Sequence, residues 1–246
     1  MSAWLFDLGN SRLKCAPLQE TGMPGPVLEI GHDGENFVCD WIEQCPVRID
    51  DAYISSVASP ALTATLLDGL TRRCPRMSLA RTQRACDGVR IAYDTPRNLG
   101  VDRFLTLLAA HARGHDAWLV VGVGTALTID LLDAAGRHHG GRIAPSPTLM
   151  REALHARVPQ LPSSGGAYTE FADDTAAGLT SGCEGAVLAL IAHSRDVAAT
   201  RLGHEPRLLL HGGGAPALQD RIDDAVFAPA LVLEGLARWA HAISSA

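Results

Sequence analysis

An apolar strand that enters a short turn containing glycine and leaves it as a second strand occurs twice in this chain, about 115 residues apart. The first copy covers residues 4–14 and the second covers residues 118–130. Their turns, Asp7–Ser11 and Gly122–Ala126, occupy matching positions. Repetition of a strand–turn–strand unit predicts two similar α/β halves rather than one continuous sheet.

Hydrophobic periodicity and the Gly and Pro breakers predict the remaining elements. The predicted strands are 3–8, 11–17, 51–56, 76–80, 89–93, 118–123, 126–132, 137–143 and 207–211. The predicted helices are 35–45, 60–73, 100–113, 146–156, 174–202 and 231–244. Two halves joined near 113–117 fit this order, and we expect domains at 1–115 and 116–246.

Composition excludes several classes of protein. With 246 residues and 47% apolar content, the chain is long and apolar enough to bury one or two hydrophobic cores. A net charge of −6 argues against nucleic-acid and membrane-surface partners, which favour basic patches. The apolar runs are interrupted well short of the ~20 residues of a membrane span, and no signal peptide is evident. Six cysteines without a CxxC pair suit a reducing compartment, so we expect a cytoplasmic protein.

The first turn carries groups suited to phosphate chemistry. Asp7 ends an apolar strand and could hold magnesium, and the Gly9-Asn10-Ser11 turn offers N–H and hydroxyl donors. Lys14 is the chain's only lysine and would add a compact positive charge. The alternative is a β-hairpin in which this lysine has no special role.

Two further glycine turns complete the pattern. Gly124 and Thr125 lie in the second strand turn, and Gly212–Gly214 follows the predicted strand 207–211. Neither GxxxxGK(S/T) nor GxGxxG fits the chain. The last turn could pack on adenine or could simply join a strand to a helix. Phosphate-binding turns in both halves predict a nucleotide held between them.

Asp102 is the candidate general base. It lies beside Arg103 in the first turn of the predicted helix 100–113, where the positive end of the helix dipole favours an ionised carboxylate. Such a group could accept a hydroxyl proton during phosphoryl transfer. The alternative is an acidic residue that only complements the dipole.

Four ordered segments carry a resemblance to a known family. They are DLGNSRLK at 7–14, GVDR at 100–103, GTALTID at 124–130 and GGRIAP at 140–145. Together with Leu233-Glu-Gly-Leu they resemble type III pantothenate kinase, a member of the acetate and sugar kinase/Hsp70/actin superfamily, over nearly the whole chain. The resemblance implies an α/β fold of two duplicated ribonuclease H-like (actin-like ATPase) domains with the nucleotide cleft between them.

The resemblance also implies an activity. Magnesium and ATP would phosphorylate pantothenate, the first step of coenzyme A synthesis, in a homodimer whose substrate pocket lies at the interface. Asp102 would be the general base and Asp7 would face magnesium. Residues implied along the substrate are Tyr93, Gly100, Val101, Asp102, Arg103 and Thr175. Residues implied at ATP are Asp7, Leu8, Gly9, Asn10, Ser11, Arg12, Leu13, Lys14, Gly124 and Thr125.

Three positions depart from the family pattern. Ser146 replaces a glycine and Ser11 replaces a threonine, and we expect only local effects. Gly122 stands where many members carry an aspartate that binds a monovalent cation. A cofactor role for potassium or ammonium is therefore doubtful in this chain.

Other functions remain open at this point. A sugar kinase of the same superfamily would share the phosphate turns, and a regulator without catalytic activity could keep the fold. The intact Asp7, Lys14, Asp102 and Thr125 argue against the regulator. His138 and His139 are interpreted as part of a turn between two strands rather than as a metal site.

Overall fold

The computed structural model describes residues 2–244, which form two compact units. Within these residues the first unit comprises 2–114, 135–138 and 230–244, and the second comprises His115–Ala134 and His139–Pro229. One boundary between the two units falls between Gly114 and His115. The closing helix differs, because it folds with the first unit and not with the second half in which its sequence position had placed it.

Twelve strands and six α-helices are found among these residues. The strands are β1 Ala3–Leu8, β2 Arg12–Pro17, β3 Leu28–Gly31, β4 Asp51–Ser56, β5 Arg76–Leu79, β6 Ala85–Cys86, β7 Val89–Arg90, β8 Trp118–Val123, β9 Ala126–Leu132, β10 His138–Pro145, β11 Arg207–His211 and β12 Val226–Phe227. The helices are α1 Pro60–Thr71, α2 Val101–His111, α3 Pro147–Arg157, α4 Thr175–Leu202, α5 Pro216–Gln219 and α6 Leu231–Ser244. Short 3-10 turns occupy Trp41–Gln44 and Pro96–Asn98.

The predicted helix over 35–45 is wrong. Only the 3-10 turn Trp41–Gln44 forms there. The Asp33 carboxylate accepts hydrogen bonds from the backbone N–H groups of Glu35 and Asn36, and Val38 N–H bonds to Gly31 in β3. These local bonds compete with a helical backbone. The predicted strand 89–93 is also shorter than expected, and β3, β6, β12 and α5 were not predicted.

The first sheet has the strand order β3-β2-β1-β4-β5. β1 pairs antiparallel with β2 and parallel with β4. One face packs its alternate apolar residues, such as Phe6 and Ile54, against Leu62 and Leu66 of α1 and against Trp41. The helices α2 and α6 pack together and also contact this sheet. The result is a sheet layered with helices, in which successive residues of β1 point to opposite faces.

The second sheet repeats this order as β10-β9-β8-β11-β12. β8 pairs antiparallel with β9 and parallel with β11, as β1 does with β2 and β4. Its core joins Val121 and Leu210 to Val187 and Ile191 of α4. The predicted duplication of an α/β unit is therefore confirmed in the topology of the two sheets.

The long helix α4 is the one described element that is long and apolar enough to cross a membrane by length and composition. Length and composition alone are weak evidence for a membrane span, because a helix in the core of a soluble protein can be equally long and apolar. Val187 and Ile191 of α4 are buried in the core of the second unit.

Candidate active site

A row of polar residues crosses the first sheet. Asp7 in β1 lies opposite Ser55 in β4 and opposite Lys14 in β2, and Lys14 lies opposite Glu29 in β3. Directly opposed residues share a face of the sheet, so the four side chains form one line. The Lys14 ammonium lies 3.1 Å from Glu29 Oε1. Lys14 therefore contributes positive charge beside Asp7 while it is held by an acidic partner.

Asp7 is a buried carboxylic acid with an unusual pKa. Burial, and then the negative charge of Asp102, raise its pKa from 3.8 to about 7, while the Ser55 hydroxyl and the Lys14 ammonium act in the opposite direction. Its Oδ1 atom has no hydrogen-bond partner among residues 2–244. A buried oxygen without a donor is costly, and a cation would satisfy it.

These features fit magnesium bound together with a nucleotide. Magnesium is commonly held by one or two carboxylates plus phosphate oxygens rather than by a cage of protein ligands. Across the described part of the chain, no group of three or more His, Cys, Asp or Glu side chains is placed to hold a metal alone. Asp7 thus suits a metal that arrives with phosphate.

Asp102 lies in the first turn of α2, just after the N-cap residue Gly100. Its carboxylate folds back over that residue. A Cβ atom added to Gly100 would therefore lie only 2.5 Å from Asp102 Oδ1. Its charge acts on Asp7. The first unit therefore brings together the two carboxylates that the sequence marked as base and metal ligand.

Arg103 and Tyr93 also meet in this unit. Arg103 is buried, and its Nη1 donates a hydrogen bond of 3.4 Å to the Tyr93 hydroxyl. The guanidinium carbon lies 6.0 Å from the centre of the tyrosine ring. Two of the residues implied along the substrate are thus in contact, although they are ten positions apart in the chain.

A cavity of about 790 Å³ opens at the N-terminal end of α2. Gly100 and Val101 line it together with Ser56 and Val57, which follow β4. Arg97 also contributes to its wall. The cavity is large enough for a small organic acceptor and lies next to the helix turn that carries Asp102.

The exposed turn between β1 and β2 is closed by a hydrogen bond from Gly9 N–H to the Arg12 carbonyl, at 3.0 Å. In the second unit Gly124 N–H donates a hydrogen bond of 3.0 Å to the Ala126 carbonyl, two residues further on, and Thr125 is exposed. The two turns that the sequence aligned thus differ in length, because the closing bond joins residues three apart in the first turn and two apart in the second. Each presents polar groups at the end of a central strand.

The Gly212–Gly214 turn packs against the end of β8. Gly212 has a φ of 95°, and a Cβ atom there would lie 2.4 Å from the Val123 carbonyl oxygen. Gly214 N–H donates to the same oxygen at 2.9 Å. These contacts explain why Gly212 must be glycine, without any need for a ligand.

His211 is a residue that sequence reasoning missed. It is the register partner of Gly122, and a Cβ atom on Gly122 would lie 2.7 Å from His211 Nε2 and 2.7 Å from Thr128 Oγ1. The space into which an aspartate at this position would project is therefore filled. Only the pairing of β8 with β11 reveals this contact, since 89 residues separate the two positions.

A family model described as type III pantothenate kinase matches residues 4–196 of the chain. This chain belongs to the type III pantothenate kinase family. A relative of that name from Stenotrophomonas maltophilia (strain K279a) is 57% identical over 240 residues, which cover 98% of each chain.

Solved structures with lower sequence identity share the fold of this family member. A protein described as a Baf family transcriptional activator from Campylobacter jejuni matches with a TM-score of 0.65 and 17% identity, covering 99% of this chain and 100% of that one. An archaeal actin homologue matches with a TM-score of 0.56 and 10% identity, covering 98% and 99%. At these identities the likeness establishes an actin-like fold.

In this type III pantothenate kinase family member, Thr175 lies in the second unit as the first residue of α4. Asp174 caps that helix by accepting hydrogen bonds from the N–H groups of Ala176 and Ala177. Thr175 itself is exposed. Thr175 belongs to the second unit, whereas Asp7 and Asp102 belong to the first.

Proposed function

We propose that this protein transfers the γ-phosphoryl group of ATP to the primary hydroxyl of pantothenate, giving 4'-phosphopantothenate for coenzyme A synthesis. The observation that carries the proposal is the interaction of the Asp7 and Asp102 carboxylates in a member of this family. Phosphoryl transfer needs a group that accepts the hydroxyl proton and a group that positions the metal. Asp102 and Asp7 supply these two functions.

Asp102 acts on the acceptor. The hydroxyl oxygen of pantothenate forms a bond to the γ-phosphorus while the bond from that phosphorus to the bridging oxygen of ADP breaks. Asp102 accepts the hydroxyl proton, and ADP leaves with the bridging oxygen. Asp102 lies in the first turn of α2, and the N-terminal end of a helix favours negative charge.

Asp7 and Lys14 act on the donor. Magnesium bound with ATP would neutralise charge on the phosphate oxygens. The buried Oδ1 of Asp7, which has no hydrogen-bond partner among residues 2–244, would hold it. Lys14 supplies a point charge in the same row, and Gly9, Asn10 and Ser11 supply donors at the turn. In the second unit, Gly124 and Thr125 are proposed to contact ATP.

Arg103 and Tyr93 are proposed to bind the acceptor. The guanidinium of Arg103 suits the carboxylate of pantothenate, and its hydrogen bond to Tyr93 limits how either side chain can move. Gly100 and Val101 form the wall of the adjoining cavity. Binding in this arrangement would bring the hydroxyl of pantothenate towards Asp102.

We propose a homodimer formed through the second unit. Ile143, Leu149, Leu154 and Val158 are between 38% and 65% exposed on or beside α3. Leu149 and Leu154 also line an apolar cavity of about 700 Å³ between α3 and α4. A second copy would cover this surface and add its own Thr175 to the acceptor site, in agreement with the family resemblance.

We also propose where this enzyme works, which partners it has and which ions it needs. It works in the cytoplasm with ATP and pantothenate, without nucleic acid or membrane partners, in keeping with a net charge of −6. Magnesium is required, and potassium or ammonium contributes little because Gly122 offers no carboxylate.

One assay tests the proposed function. Purified protein is mixed with Mg-ATP and with pantothenate, with a panel of sugars, or with no acceptor, and ADP release is measured. ADP release and a phosphorylated product with pantothenate alone are expected. Phosphorylation of a sugar would favour the sugar kinase, and no turnover with any acceptor would favour the regulator.

A further inference from the structure

The short turn at Ala135–His138 packs within the first unit, although it directly precedes the remainder of β10. Arg90 N–H in β7 donates a hydrogen bond of 2.8 Å to the Gly136 carbonyl. Gly136 has a φ of 79°, and a Cβ atom there would lie 2.3 Å from the Gly88 carbonyl oxygen. This close approach requires glycine and fixes the turn against the β6–β7 hairpin.

The turn places the His138 ring against Tyr93. His138 is 1% exposed, and the two rings are nearly parallel, at 5°, with centroids 6.1 Å apart. The backbone N–H of Ala92, the neighbour of Tyr93, points to His138 Nδ1 at 3.4 Å. Offset parallel stacking at such a distance is a favourable arrangement for aromatic rings.

Tyr93 itself has little regular structure to hold it. Residues 92–95 lie in no strand or helix, and the side chain is half-buried. Arg103 contacts the hydroxyl group, at the far end of the ring. The His138 ring lies parallel to the tyrosine ring and offset from it, so that Arg103 and His138 together define the orientation of Tyr93.

We propose that His138 is a positioning residue for pantothenate, which acts by holding the Tyr93 ring in the orientation that contacts the acceptor. The inference rests on the proposed function, because it assumes that Tyr93 lies against pantothenate. His138 does not touch the reacting atoms in this proposal. Its loss weakens acceptor binding equally in the ground state and the transition state, which raises KM and leaves kcat unchanged.

The adjacent histidine provides a matched control. His139 directs its Nε2 to Asp133 Oδ2 at 2.8 Å within the second unit. The two neighbouring imidazoles thus have different partners. Substitution of His139 removes a similar side chain from the same strand without exposing the Tyr93 ring.

The test compares steady-state kinetics of His138→Ala, His138→Phe and His139→Ala with those of the wild-type protein. His138→Ala should raise KM for pantothenate about three- to tenfold, the range expected for loss of one aromatic contact. Its kcat and its KM for ATP should stay within about twofold. His138→Phe keeps a ring at this position and should restore KM, and His139→Ala should behave as wild type.

A double-mutant cycle tests whether His138 acts through Tyr93. Tyr93→Ala should raise KM for pantothenate, and adding His138→Ala to it should cause little further change. Additive effects of the two substitutions would overturn the inference. So would a pantothenate KM for His138→Ala equal to that of the wild type, or an equal loss for both substrates.

Two further outcomes are distinguishable. If His138→Ala does not fold, His138→Gln keeps a hydrogen-bond acceptor but no ring, and the same rise in KM is expected from it. If the wild-type protein does not phosphorylate pantothenate, the proposed function fails. If the wild type is active and neither His138→Ala nor His138→Gln changes KM, only the inference about His138 fails.

Discussion

The carboxylate of Asp102 occupies the space above Gly100 that a side chain would need. A Cβ atom on Gly100 would lie 2.5 Å from Asp102 Oδ1, although the backbone there, with φ −52° and ψ 139°, is open to most residues. Glycine is thus needed at position 100 for the placement of the base and not for the backbone conformation.

Gly100→Ala should therefore reduce activity without unfolding the protein. The methyl group would displace the Asp102 carboxylate, and kcat should fall about tenfold or more, because small displacements of a catalytic group are costly. Asp102→Asn removes the base, so its turnover should fall roughly 10²-fold or more while ATP still binds.

Gly185→Ala is the control for this substitution, because its added methyl group would meet only Tyr168 atoms at 3.9 Å. Thermal melting should show that all three variants are folded. Near-normal kcat for Asp102→Asn would show that the assignment of the base is wrong.

Asp7→Asn should make the protein without ligand more stable at alkaline pH. The folded-state pKa of Asp7 is raised from 3.8 to about 7, so between these two values the folded chain keeps a proton that the unfolded chain has released, and it loses that proton as the pH rises through about 7. The free energy of unfolding of the wild type then falls as the pH rises, by about 2–3 kcal/mol between pH 5 and pH 8. The variant lacks this titration, and its stability relative to wild type should rise with pH.

Denaturant unfolding at pH 5 and pH 8 measures this difference, with Asp68→Asn on the exposed side of α1 as the control. Mg-ATP at pH 8 should stabilise the wild type and have a smaller effect on Asp7→Asn. A stability difference that is independent of pH would contradict the raised pKa of Asp7.

Lys14→Arg should impair the use of ATP although the charge is retained. A planar guanidinium differs in shape from an ammonium and would pair with Glu29 in a different geometry. We expect KM for ATP to rise about tenfold, as for loss of one good phosphate contact. Glu29→Gln is the control, because it removes the acidic partner of Lys14 and leaves the ammonium in place. If the kinetics of Lys14→Arg are unchanged across ATP concentrations, the assignment of Lys14 to ATP binding is wrong.

The wild-type protein should show weak activation or none by potassium. Gly122 supplies no carboxylate, and the imidazole of His211 and the hydroxyl of Thr128 already fill the space beside it. Phosphorylation of pantothenate is measured in a buffer free of sodium and potassium, to which potassium or ammonium chloride is added, with choline chloride as the control for ionic strength.

A steep, saturable activation by either ion would contradict this prediction. Gly122→Asp alone should lose stability, because its side chain would collide with His211. Gly122→Asp combined with His211→Thr makes room for the carboxylate, and activation by potassium in this double variant would support the interpretation directly.

The protein should be a dimer in solution, and Leu154→Glu should dissociate it. A charged side chain in the centre of an apolar interface is strongly unfavourable. Sedimentation across a range of protein concentrations measures the oligomeric state, and Val38→Glu, at an exposed position of the first unit, is the control. A monomeric wild type with full activity would rule out the shared pocket.

Local patterns were enough to predict most of the secondary structure. The strand–turn–strand unit is visible because its apolar positions and its glycine turn depend on neighbours in sequence, and both β1–β2 and β8–β9 pair as predicted. The helix predicted over 35–45 does not form, because the Asp33 carboxylate accepts hydrogen bonds from backbone N–H groups at the start of this segment. Motif spacing identified Asp7, Asp102 and Arg103, whose polar contacts in the first unit the structure describes.

The sequence by itself determined the duplicated α/β pattern, the family and the residue types at the two phosphate turns. Only the tertiary structure decided that α6 folds with the first unit, that Glu29 pairs with Lys14, and that His138 lies on Tyr93. The physical reason is the separation in sequence over which each interaction acts. Turns and amphipathic periodicity act between near neighbours, whereas these contacts depend on strand register and packing between segments far apart in the chain, which also bury Asp7 and raise its pKa.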